Sequence, residues 1–462
     1  MTAALRFTVA LLGGVSILLA STANLGALEG VELQPLIDAA KPESELVLEA
    51  GDYLGPVTID KSLTIRGVGW PTVDGGGSGS VFTVNSPDVT IEGLVIRHTG
   101  DSLDRENSGI SSDMSPRIVV RNNRFEDVLF GVFLRTSPEA VVAENDIGAK
   151  ELGPGRRGDG VRLWESPDSL VEGNTIVGGR DTVLWFTDRV VVRNNVVEDG
   201  RYGLHFMFSD GAVVEGNQLT GNSVGAFLMY SQDLILRDNL IVENYGPSGY
   251  GVGLKDMDGI TATGNRLVGN RVGLYLDNSP SAAGVTQLFD GNVMAYNGVG
   301  VLFQPSVKNN TFVNNSFIDN REQVGIQGTG TFSGNTWTVD GSGNYWSDFA
   351  GYDADGDGLG DTSYLSQDLY SELTDDHPQL HFFDETPAAR AVDLASRMFP
   401  VFEPRPKLED TGPLMRSVKL TPIAGSQRDG IDVGGVIVAV VLLMGAGGLM
   451  AVGTRSRKLV AI

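Results

Sequence analysis

Short apolar runs recur along the middle of the chain, each followed by a polar break. Ala212-Val213-Val214 and Leu234-Ile235-Leu236 are two of them. An Asn-x-apolar unit follows at Asn123, Asn145, Asn174, Asn195, Asn217, Asn239, Asn265, Asn292, Asn315 and Asn335. The step is roughly 20 to 23 residues, longer where loops are inserted, which is the period of stacked β coils. After each Asn comes a second short strand, then often Gly-apolar-x-apolar. Apolar residues two apart share one face of a strand. One such coil cannot bury its own apolar face, but a stack with strands about 4.8 Å apart can. Asn in line with Asn can then exchange side-chain amide hydrogen bonds at every coil. The pattern predicts an all-β chain folded as a right-handed parallel β-helix. A leucine-rich horseshoe also repeats Asn, but its L-x-x-L-x-L signature is missing and nothing supplies a helix per repeat.

The ends break the pattern. Arg6 precedes an apolar run over residues 7–20, and Ser21-Thr22-Ala23 follows, which reads as a signal peptide over 1–23. Residues 24–342 form the expected β-helix. Its first part, 30–60, reads as a cap, with a short helix near 36–40, because an open coil end exposes apolar groups and strand edges. Residues 99–108 and 150–159 are polar insertions. Residues 343–416 read as an acidic Gly turn, a helix near 386–398 and a Pro-rich tail. A linker over 417–432 leads to 433–452, about 20 apolar residues without charge, long enough to span a bilayer. Arg455, Arg457 and Lys458 follow, so 453–462 is expected in the cytoplasm and the repeat body outside.

Composition narrows the partners. The 462 residues carry a formal charge of -24 and 0 Cys. The acid excess argues against nucleic acid or anionic lipid. An exported chain without Cys has no disulfides, so the stacked core must hold itself.

Aligning Gly203, Gly225 and Gly253 predicts an outward column Asp113, Arg135, Trp164, Trp185, Met207, Met229, Met257, Asp277, Gln304. Two residues earlier, on the same face, runs Ser111, Phe133, Arg162, Val183, His205, Phe227, Lys255, Tyr275, Leu302. The column between them, from Ser112 through Leu134 to Phe303, is mostly apolar and faces inward, with Asp256 as its one acid. Met207, Met229 and Met257 would then sit one above another beside His205. Thioether sulfur is soft and selects Cu(I), and imidazole also suits copper. Without thiolate such a cluster could hand its ion on. The same spacing fits plain packing under the inserted loop 244–250, since a Met stripe often serves packing or a partner surface.

The segments GRYGLHFMFSD, VGAFLMYS, GYGVGLKDMD, LYLDNSP, GNYWSDFAGYDADGDGLGD and FEPRPKLEDTGPLMR, spread over about 123–415, resemble the NosD family of accessory proteins for maturation of nitrous oxide reductase. The resemblance implies an exported β-helix that carries copper towards the reductase and works with a membrane ABC transporter. His205, Met207, Met229 and Met257 lie inside the matching motifs, so the resemblance places copper there. The apolar segment 433–452 departs from the family and implies a membrane-anchored version.

Asp353, Asp355, Asp357 and Gly358 follow the start of a calcium loop, with Asp361 at the ninth position. The twelfth position is Tyr364 instead of Glu, and no flanking helices are evident, so a solvated acidic turn fits as well. His377 and His381 are four apart, but Pro378 argues against a shared helix. Two other functions stay open. A polysaccharide lyase or hydrolase could use Asp113, Arg135 and Arg162, although the residues around His205 are aromatic and sulfur-bearing and no paired carboxylates appear there. An adhesion or surface protein would need only an anchored rod.

Overall fold

The computed structural model describes residues 30–328, 332–366, 377–383 and 408–418, with isolated positions between 386 and 395. The expected signal peptide 1–23, most of the expected helix near 386–398, the linker beyond Val418, the apolar segment 433–452 and the basic end lie outside these residues. Among the described residues no helix is long and apolar enough to cross a membrane.

The expected architecture is present: a right-handed parallel β-solenoid of about 13 turns. Each coil contributes one strand to each of three parallel sheets of 14, 12 and 12 strands, and successive coils are hydrogen-bonded neighbours throughout. In one coil, Val213–Glu215 lies before Asn217, Gln218–Thr220 after it, and Val224–Met229 forms the third side. The third-side strands, from Val57–Ile59 to Glu322–Ile326, make the face discussed below, here called the site sheet.

Inward columns are apolar because only coil-on-coil stacking removes them from water. Leu134, Leu163, Leu184, Phe206, Leu228, Leu254 and Leu276 form one such column, all fully buried. Near the C-terminal end the core turns aromatic. Phe289, Phe312 and Trp337 stack at 4.6 and 4.7 Å, and Phe317, Trp346 and Tyr364 at 4.2 and 4.3 Å.

The Asn ladder lies at the first corner and its members are buried. The backbone N–H and Nδ2 of Asn195 donate to Oδ1 of Asn217 at 3.0 Å, and Nδ2 also donates to the Val171 carbonyl at 2.9 Å. Its own Oδ1 accepts both donors of Asn174. Every polar atom of the side chain is paired, which is what permits its burial. The same bonds run from Asn123 to Asn315, but the next member is Asn344, where Asn335 was expected. Asn335 instead accepts from Asn310 at a different corner. A second ladder, Asn222, Asn244, Asn270, Asn297 and Asn320, occupies the corner before the site sheet. A third corner carries hydroxyls, among them Ser137, Ser166, Thr187, Ser209 and Ser231.

Both ends are covered. Helix Gln34–Ala39 buries Ile37, and the Gln34 amide pairs with both backbone groups of Thr58, closing the first strand edge of the site sheet. At the other end Leu408–Asp410 pairs antiparallel with Tyr364–Ser366. Asp410 is buried there. It accepts from the Asn344 N–H at 2.7 Å, the Trp346 indole at 2.9 Å and the Thr338 hydroxyl at 2.8 Å. This part of the expected tail is thus ordered by the end of the helix itself.

Candidate metal centre

Strand pairing corrects the predicted column. Met207 pairs with Met229, but Met229 pairs with Lys255. The glycine in register with Gly203 and Gly225 is therefore Gly251, two residues before Gly253. Met257 leaves the column. It lies at the hydroxyl corner, in the position of Ser209 and Ser231, and is 0% exposed. Asp256 moves out of the apolar column, where Leu254 stands, into a turn position with φ 48°. The loop 244–250 sits at the start of the strand and not over the methionines. Its Gly246 N–H donates to the Ser223 carbonyl, and Arg271 bonds Pro247. Lys255, expected beside His205 and Phe227, stands in the methionine column instead, and Gly253 takes its place; the positions of the other coils match the register from Ser111–Asp113 to Leu302 and Phe303.

The outward patch therefore holds His205, Met207 and Met229. The two methionines are half-buried and lie on adjacent strands, whose backbones run about 4.8 Å apart. Lys255 follows Met229 and is paired with Asp277 at 3.2 Å, so its charge is matched. Trp185 precedes Met207 in the column. His205 is nearly buried, with the rings of Trp185 at 5.2 Å and Tyr202 at 4.8 Å, both roughly perpendicular to it. Its Nδ1 meets the Asp181 carboxylate at 3.3 Å.

Next to this patch lies a buried charge cluster. Asp159 is fully buried between Arg180 at 3.1 Å and Arg162 at 3.4 Å. Burial pushes its carboxyl up to about 6; Arg180 and Arg162 oppose the shift and the neighbouring Asp181 adds to it. Burial also acts on Asp181, but the hydrogen bonds of His205 and Arg201 outweigh it and hold that carboxyl below its ordinary value. Glu106, on the insertion 99–108, binds Arg135 at 3.0 Å and Arg162 at 3.2 Å. Arg162 also stands over the Phe133 and Trp185 rings. Asp113, Arg135 and Arg162 do lie on one face, but Arg135 and Arg162 are engaged by Glu106.

Pattern reading overlooked two groups. Phe186, Phe208 and Tyr230 directly follow Trp185, Met207 and Met229, and stack at 5.2 and 5.1 Å with φ near 53°. Phe186 and Phe208 are 41% and 44% exposed, so an aromatic stripe runs along the methionine edge. The repeated aromatic after each outward residue was the available signal. Asp181 and Arg201 carried no pattern, because their meeting depends on a local register shift.

At the far end, ligand atoms of Asp353, Asp355 and Asp357 lie within 4.8 Å of one another. Asp361 is not one of these three, but it accepts from the Ala354 N–H of the same loop at 2.6 Å. Asp353 accepts backbone N–H bonds from Gly356 and Gly358. His377 is exposed, and His381 lies in the 3-10 turn Pro378–Phe383, not on an α-helix.

Fold and patch together define a β-helix whose soft donors are gathered on one outer face. The A-module of mannuronan C-5 epimerase AlgE6 from Azotobacter vinelandii shares this fold. It is 16% identical, with a TM-score of 0.52, covering 67% of this chain and 97% of that one. The family described as periplasmic copper-binding protein (NosD) matches residues 148–351, which include the whole patch. The probable ABC transporter binding protein NosD of Pseudomonas aeruginosa is 32% identical over 414 residues, 87% of this chain and 94% of that protein. Its counterpart in Stutzerimonas stutzeri is 28% identical over 386 residues, 81% of this chain and 87% of that protein. The chain belongs to the NosD family.

Proposed function

We propose that this chain is an exported copper carrier, not a catalyst, and that it supplies Cu(I) for assembly of the copper site of nitrous oxide reductase. It works with a membrane ABC transporter, consistent with the names of its relatives. The observation that carries the reading is the register pair Met207–Met229 beside His205, within the segment that matches a copper-binding family. Two thioethers and one imidazole suit soft Cu(I) and offer little to Zn(II) or Ca(II), which prefer thiolate, nitrogen or oxygen. A half-exposed site without thiolate suits a cargo that must leave again. Met257, being core, takes no part. The segment 433–452 anchors the carrier in the membrane, with its body outside.

Anaerobic titration of the purified chain should saturate at one Cu(I) per chain, with X-ray absorption showing sulfur and nitrogen neighbours. A strain lacking this chain should make reductase poor in copper, and wild-type chain should restore it. Full copper loading of the reductase in that strain would sink the delivery role. The acidic turn is a second, separate binding reading. Asp353, Asp355 and Asp357, with Asp361 nearby, take Ca(II) and stiffen the end of the stack. Terbium luminescence that is lost in Asp353→Asn but kept in His205→Gln would support it, and luminescence unaffected by Asp353→Asn would end it.

A further inference from the structure

We propose that Asp181 is the positioning residue of the metal centre: it keeps the ring proton of His205 on Nδ1 and so presents Nε2 to the cargo ion. The role rests on the copper reading for its purpose and on the geometry below for its content.

Asp181 opens the strand Asp181–Trp185, one coil before His205. Neighbouring coils place Gly160 and Tyr202 at the corresponding positions, so an acid here is a departure from the repeat. The register slips between Asp181 and Val183 against the strand Tyr202–Met207. Such a slip re-aims side chains locally. Here it lets a carboxylate reach His205 across the coil boundary. The Asp181 side chain is 1% exposed. One oxygen accepts from Arg201 Nε at 2.9 Å and from the Tyr202 N–H at 3.3 Å. The other faces His205 Nδ1 at 3.3 Å.

A carboxylate only accepts, so a neutral imidazole facing it donates through Nδ1. The lone pair is then on Nε2, the nitrogen left for a metal. The same division of labour, one ring nitrogen to a carboxylate and the other to the metal, holds metal-binding histidines in orientation and raises their basicity. The rings of Trp185 and Tyr202 pack against the imidazole and oppose its reversal. Arg201 matches the charge of Asp181, so the carboxylate is buried without remaining unpaired. His98 provides an internal comparison. Its Nδ1 meets Asp74 at 2.9 Å, with Arg97 on the same carboxylate, but it follows the strand Val95–Arg97 in a different sheet.

The test uses the full-length chain labelled with 15N only in histidine. It has 4 histidines, and His205→Gln assigns the signal of interest. Long-range proton–nitrogen spectra of the metal-free protein should show His205 protonated on Nδ1, as for His98. In Asp181→Ala, His205 should shift towards the Nε2-protonated form while His98 does not. Cu(I) affinity, read anaerobically by competition with a chromophoric chelator, should fall by roughly 10–100-fold. Asp181→Asn should fall between wild type and Asp181→Ala, and it also serves if the alanine variant does not fold. Protonation on Nε2 in the wild type, or unchanged affinity in the folded variants, would overturn the proposal. If His205 is protonated on Nδ1 but its Nε2 signal does not respond to one equivalent of Cu(I), the copper reading fails and takes the purpose of Asp181 with it. The tautomer assignment would survive that result.

Discussion

Met207 and Met229 share a face with His205, and Met257 is a core residue that interrupts a row of hydroxyl side chains. The three methionines therefore separate by substitution. Met207→Leu with Met229→Leu keeps volume and apolar character, so the fold should persist. Cu(I) affinity should fall by more than the roughly 10–100-fold that loss of an outer-shell partner costs. Met257→Leu should leave affinity unchanged and alter stability by less than about 1.5 kcal/mol. Chelator competition and thermal unfolding measure both, and an unchanged affinity in the double variant would remove the methionines from the site. Asp159 is a second residue-scale test. Its pKa in the folded chain, about 6, is above the ordinary 3.8. The folded chain therefore keeps a proton between these values that the unfolded chain releases. The stabilisation linked to that proton is complete below 3.8 and is lost as pH rises through about 6. Carbon-detected carboxyl titration should give a midpoint near 6, and Asp159→Asn should lack this pH-linked loss in urea denaturation. A midpoint near 4 would show that Arg180 and Arg162 outweigh burial.

At the scale of the element, the coil was legible because two of its signals are strict. The inward columns alternate with period two, and each buried Asn of the ladder must meet another Asn. Asn217→Ala would strip acceptors from both donors of Asn195 and a donor from the Val192 carbonyl. Each unsatisfied buried group costs about 1–3 kcal/mol, so the loss should exceed about 3 kcal/mol in urea denaturation. An exposed Asn outside the left-handed region, such as Asn85, which makes one exposed side-chain bond to Asp60, should lose no more than about 1 kcal/mol on change to Ala. The error at Met257 has a physical source. Gly251 and Gly253 are two apart, and a slip of two residues leaves every side chain on its proper face. Hydrophobic pattern alone cannot tell the two registers apart. The hydroxyl corner does not separate them either, because one register puts Gly259 there and the other Met257, and neither carries a hydroxyl. Asn335 was mistaken for Asn344 for a related reason: two corners of the same coil both use Asn ladders. Asp181 was not legible at all, since a single register shift brings it to His205.

For the whole molecule, stability accumulates coil by coil and the ends decide where it starts to fail. Asp410 is the last acceptor of the main ladder, so Asp410→Ala should open the C-terminal coils first. Hydrogen exchange should speed up around Asn344–Trp346 and stay slow around Asn217. Uniform exchange along the stack would mean that the tail does not close it. The described chain reaches Val418, whose N–H donates to Ser316. Removing the residues after 428 should therefore leave a folded body that no longer requires detergent, and failure to fold would assign the removed segment to the body.

The Asn ladder also has a direction. In every link from Asn123 to Asn344 the side-chain amide donates to the C-terminal Asn and its oxygen accepts from the N-terminal neighbour. The small dipoles add, as in a row of magnets, with the positive pole at Asn344. The carboxylate of Asp410 lies against that pole. Because each link in the row is the same, a coil can be added or removed between Asn123 and Asn315 without reversing either pole. One acid at one end can therefore terminate a solenoid of any length, leaving evolution free to lengthen the rod while the lock stays the same.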